Sequence, residues 1–221
     1  IKPAQIVKKY HQNILELFKL FNLSFNLYTL TTTDNHRKIV QEIFLELLKN
    51  GFIQKGVSKQ YYSKFDNKFL PDRYVEGTCP HCKSANQRSD QCEVCGRWLK
   101  DGELIDPKSK ISGKPVELKD SEHYFLHLDK VGEELKEYVE SKNGIWKEWV
   151  YKEAKGWLDE GLKPRAITRV MYWSIDLPVD EIKKLPKEMW LDNFFGKKIY
   201  VWFDAVIGYL SASIEWSQRD T

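Results

Sequence analysis

Lys198-Ile199-Tyr200-Val201-Trp202-Phe203 is a short β-branched and aromatic run that passes, with no turn residue between, into Asp204-Ala205-Val206-Ile207-Gly208-Tyr209-Leu210. The first half reads as a strand, and the second as an apolar helix that starts near Asp204. A strand feeding a helix is the βα unit from which α/β domains are built, so this stretch sets the expected fold class as α/β.

Working outward, Ala4 to Phe21 places Ile6, Val7, Tyr10, Ile14, Leu17, Phe18 and Phe21 at spacings of three and four, which predicts an amphipathic helix. A short apolar strand is expected from Phe25 to Leu30. Asp34 then caps a helix whose inner face is Ile39, Val40, Ile43, Phe44, Leu47 and Leu48, and Gly51 ends it. Later in the chain, Glu122 to Leu126 reads as a strand. Leu128 to Val139 and Trp146 to Leu158 read as helices, the second closed by Gly161. Lys163 to Pro186 is rich in loop signals. Between these parts, from Phe52 to about Ser121, short aromatic or β-branched runs (Phe52-Ile53, Gln60 to Ser63, Phe69-Leu70, Trp98-Leu99) are broken by Gly, Pro, Asn and Asp. That pattern is a small β-rich insert, too polar to build a large core by itself. The expected segments are therefore 1–54, 55–121 and 122–221, with no internal repeat and no low-complexity tract.

Composition narrows the class. The 221 residues make one or two domains, and 42% hydrophobic content with 8 Trp, 11 Tyr and 11 Phe is far above what a disordered chain carries. With 30% charged residues and no long apolar run, a membrane protein is disfavoured, as is a secreted precursor in the absence of a charged-then-apolar leader. A net charge of +3 neither requires nor excludes a polyanionic partner.

All four cysteines lie in one short stretch: Cys79-Pro80-His81-Cys82, nine residues, then Cys92-Glu93-Val94-Cys95. A two-residue spacer lets both sulfurs of a clip face one tetrahedral ion, and the intervening loop brings the second clip round to close the shell. Four thiolates leave no open position for water, so the expected ion is a structural zinc, in a reducing cytoplasm. Two disulfides or four free thiols are the alternative that this spacing argues against. His81 is not needed as a ligand. A segment so poor in apolar residues draws on metal free energy to stay folded.

The surrounding residues carry a resemblance. Phe69-Leu70-Pro71-Asp72-Arg73-Tyr74-Val75-Glu76-Gly77-Thr78-Cys79-Pro80-x-Cys82 and Asp90-Gln91-Cys92-x-x-Cys95-Gly96-Arg97 are similar to the connective-peptide region of methionyl-tRNA synthetases of the archaeal type. So are Thr31-Thr32-Thr33-Asp34 with Val40-Gln41-Glu42-Ile43-Phe44, Gly161-Leu162-Lys163-Pro164-Arg165-Ala166-Ile167-Thr168-Arg169, and Tyr200-Val201-Trp202-Phe203-Asp204-Ala205-x-Ile207-Gly208-Tyr209. The blocks occur in the family's order and span almost the whole chain.

The resemblance implies a class I aminoacyl-tRNA synthetase, a ligase of protein biosynthesis with a Rossmann-like catalytic domain into which the zinc-knuckle insert is built. Such an enzyme joins methionine to ATP, with Mg, releases pyrophosphate, and passes the methionyl group to tRNA(Met). By similarity Trp202, Ala205 and Tyr209 line the methionine pocket, where aromatic faces and a small residue suit a flexible thioether. From spacing alone the same residues read as ordinary core packing. Arg169 resembles the family's catalytic basic residue beside the adenylate, a place where a guanidinium stabilises developing phosphate charge. Arg165 is the alternative, and a solvated loop arginine is the plain reading of both.

Departures from the family are informative. Where many archaeal-type members have two further C-x-x-C clips, this chain has Ser63 with Asp66 and Ser109 with Ser112, so no second zinc is expected. Val206 replaces the family's usual Pro, and Val170 its usual acidic residue. Neither H-I-G-H nor K-M-S-K-S, the motifs that hold the ATP phosphates in class I enzymes, occurs in the 221 residues. The chain is expected to act with the rest of a synthetase, in the same or a partner polypeptide, and to be inactive alone. The alternative function is a catalytically inactive, synthetase-derived module that binds RNA through the knuckle and Lys83, Arg88, Arg97 and Lys100. A bare zinc-ribbon scaffold for protein contacts leaves the Tyr200 to Tyr209 block unexplained.

Overall fold

In chain order the elements are α1 (Pro3–Leu20), α2 (Asp34–Lys49), β1 (Ile53–Ser63), β2 (Lys68–Phe69), β3 (Val75–Thr78), β4 (Gln87–Arg88), β5 (Ile105–Ser109) and β6 (Glu117–Leu126), then α3 (Gly132–Glu140), α4 (Glu148–Asp159), β7 (Arg165–Ala166), β8 (Thr168–Val170), α5 (Val179–Ile182), β9 (Lys197–Ile199) and α6 (Val201–Ser217). They come from a computed structural model that describes residues 2–100 and 102–219. The mixture of helices and strands is α/β, as expected, and every strand pairing among the described residues is antiparallel. No helix among them is long and apolar enough to cross a membrane. The chain divides into two compact units, Ile1–Glu42 with Val201–Thr221, and Ile43–Tyr200.

In the first unit, α1 forms where its apolar spacing predicts, yet none of its residues is buried. The strand expected from Phe25 to Leu30 does not form. With no neighbouring strand to satisfy its backbone, that segment folds its rings back on α1. His11 stacks on Tyr28 with centroids 5.0 Å apart, and Phe18 meets Phe25 at 4.7 Å. The cap of α2 is Thr33, not Asp34: the Thr33 hydroxyl accepts from the His36 amide at 3.2 Å, and Asp34 is the first helical residue, paired with Arg37 at 2.8 Å. Across the unit, buried His36 Nδ1 lies 2.8 Å from Ser211 Oγ, and Thr29 Oγ1 donates to Glu215 at 2.6 Å.

Helix α6 begins at Val201, so Trp202 and Phe203, expected at the end of a strand, are helical. The reason is the length of the partner strand. β9 pairs with β8 only through Lys197–Ile199, the Tyr200 amide makes one last bond to Ile167 O at 2.8 Å, and beyond it the backbone is satisfied only by helical turns.

The second unit is organised by β1 and β6, paired from Ile53↔Leu126 to Tyr62↔Glu117 in a sheet of order β2-β1-β6-β7. Sequence patterning splits β1 in two because Lys55, Gly56 and Lys59 interrupt its apolar residues. Gly56 leaves room for the Phe125 ring, which a Cβ would meet at 3.1 Å and push aside by a few tenths of an ångström. Behind the sheet, fully buried Phe44 of α2 meets Tyr124 edge-on at 5.2 Å, and the Tyr124 hydroxyl donates to Met189 O at 2.8 Å. The loop-rich segment, Lys163 to Pro186, also contains β7, β8 and α5, elements of two to four residues that are too short for a periodicity to register.

A second sheet, β4-β3-β5, carries the cysteine loops. At its edge the four residues that depart from the family converge. Ser63, Ser109 and Ser112 all donate to Asp66 Oδ2, at 2.6, 2.7 and 2.9 Å. These bonds hold the Asp66 carboxyl below the usual carboxylate range, the Ser63 bond foremost. One carboxylate thus ties the β1–β2 turn to the turn after β5. Asp66→Ala should lower the thermal midpoint of the chain while leaving its metal content intact; an unchanged midpoint would show that the hydroxyls find other partners.

Candidate metal centre and flanking site residues

The two cysteine clips are built alike. In each, the first cysteine's amide donates to the carbonyl five residues on (Cys79 to Ser84, 2.9 Å; Cys92 to Arg97, 3.0 Å). The amide four residues on returns a bond to that cysteine's carbonyl (Lys83, 3.1 Å; Gly96, 2.9 Å). The fourth residue carries a positive φ in both, 60° at Lys83 and 72° at Gly96, and Gly96 meets that demand without steric cost. Gln87 of β4 braces the pair, its Oε1 accepting from the Glu93 amide at 2.9 Å and its Nε2 donating to Ala85 O at 2.8 Å.

These turns bring all four sulfurs within 4.8 Å of one another. Cys79 and Cys95 sulfurs are 3.9 Å apart, and those of Cys82 and Cys92 3.5 Å, against about 3.8 Å for the edge of a tetrahedral thiolate shell around an ion with ~2.3 Å metal–sulfur bonds. A disulfide needs about 2.05 Å, and all four residues are free thiols. The donor set therefore fits a closed tetrahedral metal site, and among the described residues it is the only such cluster. His81 is exposed, with Nδ1 3.4 Å from Arg97 Nη1, and stands outside the cluster.

The ligands are not equivalent. Cys79 and Cys92 are 0% exposed and pack in one apolar cluster with Tyr61, Leu70, Val75, Leu99 and Leu104, whereas Cys82 and Cys95 face solvent. Hydrogen bonds from Ser84, side chain and then backbone, draw the Cys82 thiol down to about 6. At Cys95 the Arg97 amide lowers the thiol, but desolvation and the crowded sulfurs outweigh it and push it up to about 11. Metal binding must deprotonate all four thiols, so it releases protons and weakens as pH falls.

Arg169 lies in β8 of the second unit, half-buried. Its Nη1 donates to Thr168 O at 3.0 Å and Ala166 O at 3.4 Å, and its guanidinium carbon sits 5.0 Å from the Tyr200 ring centroid. Arg165, the alternative, is exposed in β7. In the first unit, Trp202, Ala205 and Tyr209 fall at i, i+3 and i+7 of α6, on its exposed side, with Trp202 58% and Tyr209 83% exposed. The opposite side, Phe203, Asp204, Ile207 and Ser211, is buried. The packing of Trp202 and Tyr209 is therefore not that of core residues. Burial pushes the Asp204 carboxyl up to about 6.

Sequence reasoning missed two groups around these positions. Asp72, although inside the quoted Phe69 to Cys82 run, gave no signal of its contact with Tyr200. His123 sits fully buried in β6 with Nδ1 3.1 Å from Thr168 Oγ1 and its Nε2 without a hydrogen-bond partner. A lone Asp and a lone His in a sequence look like surface residues, and only the fold brings them to β8.

Comparison with known proteins fits this geometry. The family model described as tRNA synthetases class I (M) matches residues 1–221. The methionine–tRNA ligase of Roseiflexus sp. (strain RS-1) is 43% identical over 220 residues, 99% of this chain and 36% of that protein. That of Pyrococcus furiosus is 41% identical over 217 residues, 98% of this chain and 28% of that protein. The chain thus spans about a third of the length of the curated relatives it matches. The Mycobacterium tuberculosis methionyl-tRNA synthetase, solved in complex with methionyl-adenylate, has the same fold over 96% of this chain and 34% of its own, with a TM-score of 0.60 at 18% identity. A match of the family model from end to end, over a chain whose four cysteines fold into one thiolate site, places this protein in the methionyl-tRNA synthetase family of class I tRNA synthetases.

Proposed function

We propose that this chain is a working part of an enzyme that activates methionine with ATP and transfers it to tRNA(Met). Trp202, Ala205 and Tyr209 form one wall of the methionine pocket, and Arg169 faces the phosphate of the adenylate. The 55–121 insert is a flap near the tRNA acceptor end, stiffened by one structural zinc on Cys79, Cys82, Cys92 and Cys95. Four thiolates favour zinc over harder ions, and a closed shell supplies folding energy and no water activation. The ATP-phosphate motifs absent from these 221 residues come from another stretch of the same or a partner polypeptide.

The observation that carries this reading is the exposed Trp202–Ala205–Tyr209 side of α6 in a chain matched throughout by the family model. A helix that presents two aromatic rings flanking a small side chain, with its own core on the opposite side, is suited to enclose a thioether side chain. The test places residues 1–221 in the Roseiflexus enzyme in exchange for the matching segment. In that enzyme Trp202→Ala removes sulfur–aromatic contact and apolar burial of about 2–3 kcal/mol, so the KM for methionine in ATP–pyrophosphate exchange should rise roughly 50-fold. The KM for ATP should stay within about twofold. Equal rises for both substrates, or no change in either, would count against the pocket assignment.

A further inference from the structure

The geometry points to Asp72 and Tyr200 as positioning residues for Arg169, a latch through which the cysteine-bearing insert fixes the guanidinium that faces the adenylate. The role of Arg169 in this proposal rests on the function proposed above; the latch itself rests on contacts within the second unit.

Three groups make the latch. The Tyr200 ring lies under the Arg169 guanidinium at 5.0 Å, a cation–π stack. The Tyr200 hydroxyl donates to Asp72 Oδ2 at 3.3 Å, so the ring is held from its far end by the insert. The Asp72 carboxylate also attracts Arg169 directly: its proton affinity, raised first by burial, is lowered by that guanidinium. Burial and the neighbouring Asp72 push the Tyr200 hydroxyl up to about 12, so it remains a donor at any working pH.

Arg169 is thereby held and yet not used up. Nη1 is occupied by the carbonyls of Ala166 and Thr168. A guanidinium has five N–H donors, and among the described residues those of Nε and Nη2 make no hydrogen bond, which leaves part of the fork for an anion.

Asp72 is tied in turn to the cysteine loops. The Ser89 hydroxyl donates to Asp72 O at 3.0 Å, Arg73 lies 4.0 Å from Asp90, and the Asp90 carbonyl accepts from Leu99 N at 3.0 Å in the loop that carries Cys92 and Cys95. The metal site and Arg169 are thus joined by a short run of contacts, and the insert acts as a rigid mount for the arginine rather than as a separate appendage.

The first test needs no enzyme activity. Phenylglyoxal labelling of the metal-loaded 221-residue chain, read by mass spectrometry, should modify Arg169 at least threefold faster in Asp72→Asn, with Tyr200→Phe intermediate because it keeps the stack and loses the hydroxyl. Arg37, Arg88 and Arg165 should label at unchanged rates. An unchanged Arg169 rate, or acceleration of all arginines together with a lower melting midpoint, would overturn the latch in favour of a merely structural role. The second test uses the Roseiflexus enzyme carrying this segment. Asp72→Asn should lower methionine-dependent exchange about tenfold and have no further effect in an Arg169→Gln background. Equal losses in both backgrounds, or a loss under twofold, would overturn the proposal. Absence of exchange in the Roseiflexus enzyme carrying the unsubstituted segment would instead strike the proposed function and with it the adenylate role, leaving the labelling result to decide the latch.

Discussion

Cys92→Ser should abolish stoichiometric metal binding and unfold the insert while the β1–β6 hairpin survives. Cys92 is both a ligand and a wall of the apolar cluster formed by Tyr61, Leu70, Val75, Leu99 and Leu104, so its loss breaks the metal shell and the small core at once. The segments between β3 and β5 bury too little else to stay ordered: β4 is two residues long, and Trp98 is 61% exposed. Four-thiolate sites contribute about 10–16 kcal/mol of apparent binding free energy near neutral pH, several times what such a core supplies, so the metal decides whether the insert folds. Metal analysis should fall from one ion per chain to almost none, and limited trypsin digestion should open sites at Lys83, Arg88 and Arg97. Cys79→Ser should behave alike. Cys82→Ser, at an exposed position, should weaken metal binding with less damage to the core. Full metal occupancy in Cys92→Ser would show that the four sulfurs do not act as one site.

Acidification should destabilise the second unit through His123. Burial, and then the positive charges of Arg169 and Lys197, push this imidazole down to about 3, against about 6.5 in an unfolded chain. Above pH 6.5 the residue is neutral in both states and its protonation costs nothing. As pH falls below 6.5 the unfolded chain binds a proton that the folded chain refuses, and stability drops by about 1.4 kcal/mol per pH unit until the folded pKa near 3 is reached. By pH 4 the loss is about 3 kcal/mol. In the first unit, buried His36 is also lowered by desolvation, so acid weakens that unit in the same sense. Urea unfolding between pH 7 and pH 4 should therefore show a steep fall that His123→Gln makes shallower by nearly one proton. Parallel curves for the two proteins would remove His123 from this account.

How much of this was legible in the sequence follows from the range of the interactions. Helix α2 and the cysteine clips are local objects: their signals, a cap followed by a 3–4 spacing and two C-x-x-C pairs, lie within a few residues of one another. β1 is not local. Its eleven residues are held together by β6, more than fifty residues later, and Gly56 and the lysines hide it from any periodicity. Phe25 to Leu30 shows the converse, an apolar run that looks like a strand and has nothing to pair with. Helix α6 starts three residues before Asp204, where the sequence predicts its start: Val201, Trp202 and Phe203 favour strands in isolation, while the short β8–β9 pairing ends the sheet before them. The serine–aspartate knot at Asp66 was visible only as missing cysteines. Its substitute chemistry, three hydroxyls on one carboxylate oxygen, needed the fold to bring residues 63, 66, 109 and 112 together.

Methionine-dependent ATP–pyrophosphate exchange reads out whether this segment serves methionine activation. Residues 1–221 are placed in the Roseiflexus ligase in exchange for the 220 residues they match, and the product is checked for one metal ion and cooperative unfolding. Exchange should require methionine and lie within about tenfold of the native Roseiflexus enzyme, a cost below about 1.4 kcal/mol in the transition state. A folded, metal-loaded product with no methionine-dependent exchange would contradict the proposed function.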